Sequence, residues 1–210
     1  MNVDRGTPST RDRLIWAAQE LYAANGVAAT TPRQVLARSG VGQGSLYHHF
    51  PSKLDLASEA VGRTAEQTLR AAAATLSGAL PARQRIYSYL RRDRDAVAGC
   101  RVGRLTADPL VMTTDDLRDS VSSYFTGLIA LLTSNFIDAG AAENAARERA
   151  TTAVAVIQGG YVLSRAMGDA SHMHSAVEGF IGLLNDSALT ESDASLQAHR
   201  PRRTQNGATA

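Results

Sequence analysis

The side chains with most chemistry to offer crowd into one stretch, Thr30 to Leu56. Between Gln43 and Phe50 the apolar residues Leu46 and Phe50 stand four apart, the spacing of one helical face. Gln43, Ser45, Tyr47 and His48 are left to face a partner, and all four can donate or accept hydrogen bonds. Lys53 opens the following helix, where a cation opposes the macrodipole. That placement argues for a role other than helix stability, and contact with a phosphate is the simplest one. Thr31 and Arg33, at the start of the preceding helix, add a hydroxyl and a guanidinium.

Two short helices around a tight turn would hold these groups. Thr31 is suited to cap the first, its oxygen accepting an orphan backbone N–H. Pro32 fits the first helical position, where no N–H is needed. Val35 and Leu36 supply the buried side. Gly40 ends the helix, because it tolerates the left-handed conformation of a C-terminus. The turn Gly40-Val41-Gly42 places Val41 as an apolar plug. Pro51-Ser52 breaks the chain again, with Ser52 as the next N-cap.

Other reactive residues do not assemble. Cys100 is the sole cysteine, so no intrachain disulfide is possible. A lone cysteine is inert unless its thiolate is stabilised. His172 and His174 are two apart and share no helical face. No carboxylate cluster or second cysteine completes a metal site. No catalytic residue, metal or cofactor is expected, and an enzyme is disfavoured.

Composition bounds the remaining choices. The 210 residues are 44% hydrophobic and 20% charged, a globular balance. No apolar run reads as a signal peptide or a membrane span, so the expectation is a cytoplasmic protein without membrane contact. The net charge is only +2. Residues 1–63 carry seven basic against five acidic side chains, and residues 64–186 twelve against thirteen. Charge alone therefore does not identify a nucleic-acid binder.

Along the chain every periodic segment has helical spacing. A first helix is predicted over 11–24, with Trp16 partly buried and Arg11 and Arg13 solvated. A long helix runs from Ser52 into the Ala-rich segment 71–74, with Leu54, Leu56, Ala60 and Val61 packing and Leu69 and Leu76 further out. Further helices are predicted over 82–97, from Thr114 to about 139, over 142–167 and over 172–186. Arg83, Arg91, Arg92 and Arg94 read as a solvated face, and Pro109 as an interruption. Residues 1–9 and 187–210 read as disordered.

Gly40-Val41, Gly44-Ser45-Leu46-Tyr47, His49-Phe50 and Ser52-Lys53, in this spacing, resemble the DNA-binding signature of the TetR family of transcriptional regulators. Leu36 stands where most members carry alanine. Gly99-Cys100 with Val102-Gly103, and Gln158-Gly159-Gly160 leading into Leu163-Ser164-Arg165-Ala166, are similar to the effector-binding domain of the LmrA/YxaF-like branch. The resemblance implies an all-α fold. A three-helix helix-turn-helix DNA-binding domain (10–56) precedes a helical ligand-binding and dimerisation domain (57–186).

In such a fold the second short helix enters the major groove. Gln43, Ser45 and His48, with Gly44 in the same turn, would then meet base edges. Tyr47, Lys53 and Thr31 would hold phosphates, and Arg33 either. In the body, Tyr87, Leu90, Phe125, Leu128, Ile157, Gln158 and Tyr161 are candidates for an apolar pocket with a few polar groups, with Met112 at its entrance. Plain core is the alternative reading. Gly159, Gly160, Leu163 and Met167 give one helix face and Val177, Phe180, Ile181 and Leu184 another. Paired across a two-fold axis these form a four-helix bundle between subunits, against the rival reading of intrachain core.

The function implied is a homodimeric repressor on a pseudo-palindromic operator, released by a small hydrophobic or aromatic effector. The alternatives are a regulator of the same shape that activates or senses a protein partner, and a small-molecule-binding helical protein without an operator.

Overall fold

Nine α-helices and one 3-10 turn make up residues 8–198 of the chain, the part that this computed structural model describes; side chains are described for residues 8–186. The expected disorder of residues 1–7 and 199–210 lies outside the described residues. The order is α1 (Thr10–Asn25), α2 (Pro32–Ser39), α3 (Gln43–His49), α4 (Lys53–Leu76), α5 (Ala82–Arg91), the 3-10 turn (Gly103–Ala107), α6 (Pro109–Thr113), α7 (Asp115–Asp138), α8 (Glu143–Met167) and α9 (Ser171–Ala198). No strand occurs among the described residues.

The first three helices form a head, and capping fixes their boundaries. Ser9 accepts from the amide of Asp12 at the start of α1. Thr31 and Gln34 form a reciprocal capping box on α2, as Ser52 and Asp55 do on α4. Gly40 ends α2 in the left-handed conformation, with φ +64°. Leu14, Ile15, Ala18, Val35, Leu46, Phe50, Leu56 and Ala57 are buried together, and Val41 plugs the turn. Leu36 is half-buried against this core, so the bulkier residue is accommodated at the edge of the α1–α2 packing.

Behind the head, α7 is the central helix, packed on α4 along one side and on α8 along the other. Its stripe Leu117, Val121, Tyr124, Leu128, Leu132 and Phe136 is buried. α7 is long and apolar enough to cross a membrane by length and composition, contrary to the sequence expectation, but here that apolar stripe faces protein. α5 leans on α4 and α7, and α9 on α8 and α5.

Several boundaries differ from expectation, each for a local reason. α5 stops at Arg91 rather than continuing to Val97. There the Arg94 guanidinium folds back and donates to the carbonyls of Tyr89 (2.6 Å), Leu90 (2.8 Å) and Arg92 (2.8 Å), taking acceptors that further helix would have used. Arg94 is thus a half-buried cap and not part of a solvated face; burial lowers its pKa. Pro109 does not interrupt a helix but starts one, at the first position of α6. α9 continues past Asp186 to Ala198, through a segment with neither Gly nor Pro to stop it. In α4, Leu54 is exposed, whereas Leu76 is fully buried.

Candidate DNA-binding face and the cavity behind it

Helix α3 is anchored from beneath by Leu46 and Phe50, which leaves its outer side exposed. Gln43, Gly44, Ser45, Tyr47 and His48 all lie on that exposed side, and His49 is half-buried with its ring edge-on to His48. Arg33 is exposed on α2. Lys53 is half-buried, its amine donating to the carbonyl of Ala28 at 3.2 Å, which ties α4 to the α1–α2 loop. Thr31 departs from expectation. Both its hydroxyl (2.9 Å) and its amide (2.7 Å) donate to the Gln34 side chain, so its donors are already committed within the capping box.

Two residues shape this face that spacing does not single out. Arg13, expected to be solvated, donates to the carbonyls of Ser39 (2.7 Å) and Gly40 (3.2 Å) and pins the turn between α2 and α3. Trp16 is not partly buried but 53% exposed, with the Arg38 guanidinium 5.2 Å above its ring. Arg38 also pairs with Glu20 at 3.8 Å, and Glu20 bonds Arg101 of the body.

The head is joined to α4 by an ion-pair cluster. Arg11 contacts Glu59 at 3.1 Å, and Arg63 contacts both Glu59 and Asp12 at 2.8 Å. Asp12 is held below its ordinary pKa by the bond from Ser9 and then by Arg63; Glu59 is lowered chiefly by the bond from Arg11. Inside the same interface Gln19 donates to the buried Thr64 hydroxyl at 3.0 Å.

Where head meets body, a cavity of about 610 Å³ opens between the end of α1, the segment 99–109 and α8. From the head it is lined by Tyr22, Asn25, Gly26, Ala28 and Ala29, from the body by Cys100, Arg104, Asp108, Phe125, Gln158, Tyr161 and Arg165 among others. Burial raises the pKa of the Tyr22 and Tyr161 hydroxyls, so both stay neutral. Gly103 lies so close to the Gln158 amide that any side chain there would overlap it.

Only three of the eight expected pocket residues, Phe125, Gln158 and Tyr161, meet at this cavity. Leu90, Leu128 and Ile157 are buried core, since their side of each helix faces its neighbours. Tyr87 points elsewhere, donating to Asn185 of α9 at 2.6 Å, and Met112 is exposed on α6 away from the cavity wall. Gly26, Ala28, Ala29 and Asp108 come from loops and Arg104 from the short 3-10 turn, where α-helical periodicity carries no signal.

Segment 99–109 grips the head. Asp108 is buried; one carboxylate oxygen accepts from Leu110 and Val111 at the start of α6, the other from Ala28 at 3.0 Å. Arg104 donates to the carbonyls of Ala23 and Ala24 in the last turn of α1. Gly26, with φ +83°, ends α1 so close to Asp108 that a Cβ would stand 2.5 Å from the carboxylate.

Residues 14–60, the head and the start of α4, match the model for bacterial regulatory proteins of the tetR family. Residues 84–179 match the C-terminal domain of LmrA/YxaF-like transcriptional regulators. The chain belongs to the TetR family. It is 27% identical over 162 residues to the HTH-type transcriptional regulator LmrA of Bacillus subtilis (strain 168), covering 74% of this chain and 86% of that one. It is 29% identical to YxaF of the same strain, over 74% and 84% of the two chains. The HTH-type transcriptional repressor KstR2 of Mycolicibacterium smegmatis is 43% identical over 51 residues, covering 24% of this chain and 25% of that one. Among solved structures, the reduced form of E. coli NemR superposes with a TM-score of 0.72 at 20% identity, covering 81% and 94% of the chains. A TetR regulator from Chloroflexus aurantiacus gives 0.73 at 24%, covering 84% and 94%. These structures share the fold. The protein is thus a TetR-family transcriptional regulator, and its named relatives are regulators and not enzymes.

For a TetR-family chain the outer face of α8 and α9 is of interest, and the structure divides the residues expected there. Gly160, Val177, Phe180 and Ile181 are buried within the subunit, and Leu184 is half-buried. A Cβ on Gly160 would stand 2.7 Å from the Met173 sulfur, so its smallness serves the α8–α9 contact inside one chain. The rival reading, intrachain core, holds at these positions. Leu163 and Met167 are exposed and Gly159 has open space before it. Beside them Val162, Gly179, Gly182 and Leu183 complete an outward strip that spacing alone assigned to neither face.

Proposed function

We propose that this TetR-family regulator is a cytoplasmic, homodimeric repressor that leaves a pseudo-palindromic operator when a small apolar or aromatic molecule enters the head–body cavity. Gln43, Ser45 and His48 read base edges, with Tyr47, Arg33 and Lys53 on the backbone. The outward strip of α8 and α9 joins two subunits, so the two α3 helices meet half-sites about one helical turn apart, roughly 34–36 Å, or a multiple of it.

What carries the reading is the position of the cavity. Its wall includes Gly26, Ala28 and Ala29, the loop that leads into α2, and the Asp108 carboxylate that holds this loop. A molecule filling the cavity bears on the segment that aims α3. Ligand and operator then weaken each other's binding by the same factor.

The test is a mobility shift with DNA from upstream of the protein's own gene. A sequence-dependent shift that survives competitor DNA is expected; without one the operator reading falls. His48→Ala and Gln43→Ala should alter base preference, whereas Tyr47→Ala and Lys53→Ala weaken binding to every sequence alike.

A further inference from the structure

We infer that the cavity takes a molecule with an anionic group on an aromatic body, and that the anion seats between Arg104 and Arg165. This rests on the preceding reading of the cavity as the effector site. The two guanidiniums line one end of the cavity and turn to the same acceptor, the Ala98 carbonyl, at 3.5 Å from Arg104 and 3.2 Å from Arg165. Gly99 between them permits the approach: a Cβ there would stand 3.1 Å from the Arg104 side chain and 3.8 Å from that of Arg165.

Neither guanidinium is paired with a carboxylate among the described residues, whereas Arg85, Arg91 and Arg101 of the same body each are. The one carboxylate in the cavity wall is Asp108, and both its oxygens are committed to backbone amides. Two cations thus stand together with neither in an ion pair among the described residues, and burial and then Arg165 lower the pKa of Arg104. Phe125, Tyr161 and Tyr22 furnish the aromatic remainder of the wall.

The arrangement also links occupancy to the head. Arg104 holds the last turn of α1 through the neutral carbonyls of Ala23 and Ala24. A carboxylate is the stronger acceptor for a guanidinium and takes it bidentately. Bound beside Arg165, it draws Arg104 from α1 and loosens the hold of segment 99–109 on the head.

Direct binding to the full chain without DNA, by calorimetry, tests this with isosteric pairs: benzoate and benzamide, 2-naphthoate and 2-naphthamide, 4-biphenylcarboxylate and its amide. In at least one pair the acid should bind about tenfold tighter, as expected for a charged hydrogen bond. Arg165→Gln should abolish that preference, weakening the acid far more than the amide. Equal binding of acid and amide in every pair, binding by no member, or an undiminished preference in Arg165→Gln overturns the inference. An acid that binds as described but leaves the operator complex intact sinks the repressor-release reading instead, and the two failures stay distinct.

Discussion

Asp108 turns one carboxylate oxygen to the start of α6 and the other to an amide 80 residues earlier, in the head. Asp108→Ala would strip α6 of its cap and leave the Ala28 amide without its acceptor. An expected loss of about 1–3 kcal/mol follows, measured by urea unfolding. Asp108→Asn, which keeps one acceptor oxygen, should lose less. Gly26→Ala strikes the same contact from the other side, adding strain at positive φ, and should match or exceed the alanine variant. None of this is legible in the sequence, because Asp108 and Gly26 belong to loops and meet only through the fold. The exposed set on α3 is legible, since Leu46 and Phe50 fix which side of a seven-residue helix faces inward. The partners of Arg13 and the exposure of Trp16 are not legible for the opposite reason: their surroundings are set by α2, a separate element, and not by neighbours in α1.

At the scale of elements, the α1–α4 joint depends on charge. The lowered pKa values of Asp12, held by Ser9 and then Arg63, and of Glu59, held chiefly by Arg11, mean that these contacts stabilise the fold above the ordinary carboxylate values of 3.8 and 4.5. That contribution disappears as pH falls through the lowered values. Thermal unfolding between pH 7 and pH 3 should show it, with Glu59→Gln flattening part of the slope. Both groups are near the surface, so the effect is salt-sensitive. The α8–α9 joint depends on shape. Gly160→Ala should destabilise the subunit by about 1–3 kcal/mol through overpacking against Met173. A residue serving only contacts between subunits would leave subunit stability unchanged. The long helices were legible because caps and apolar stripes agree over many turns. The end of α5 was not, because a tertiary contact from Arg94 decides it.

For the molecule as a whole, the fold class followed from helical periodicity in every segment, and the head from its compact motif. The choice between inner and outer faces of α8 and α9 did not. Both faces carry apolar and small residues, and only the packed subunit shows that Val162 is 66% and Met167 61% exposed. Val162→Glu with Met167→Glu should leave the subunit folded and yield a monomer by light scattering, with operator affinity falling as the two heads part. A dimer that survives both substitutions would move the subunit contact elsewhere. Lys53 offers a different handle on the same question. It is the sole lysine in the chain, so an amine-directed reagent has a single ε-amine to find, and that amine lies at the face assigned to DNA. One acylated peptide in a mass spectrum would then report occupancy: operator DNA shields the site, and an effector that releases the DNA uncovers it again.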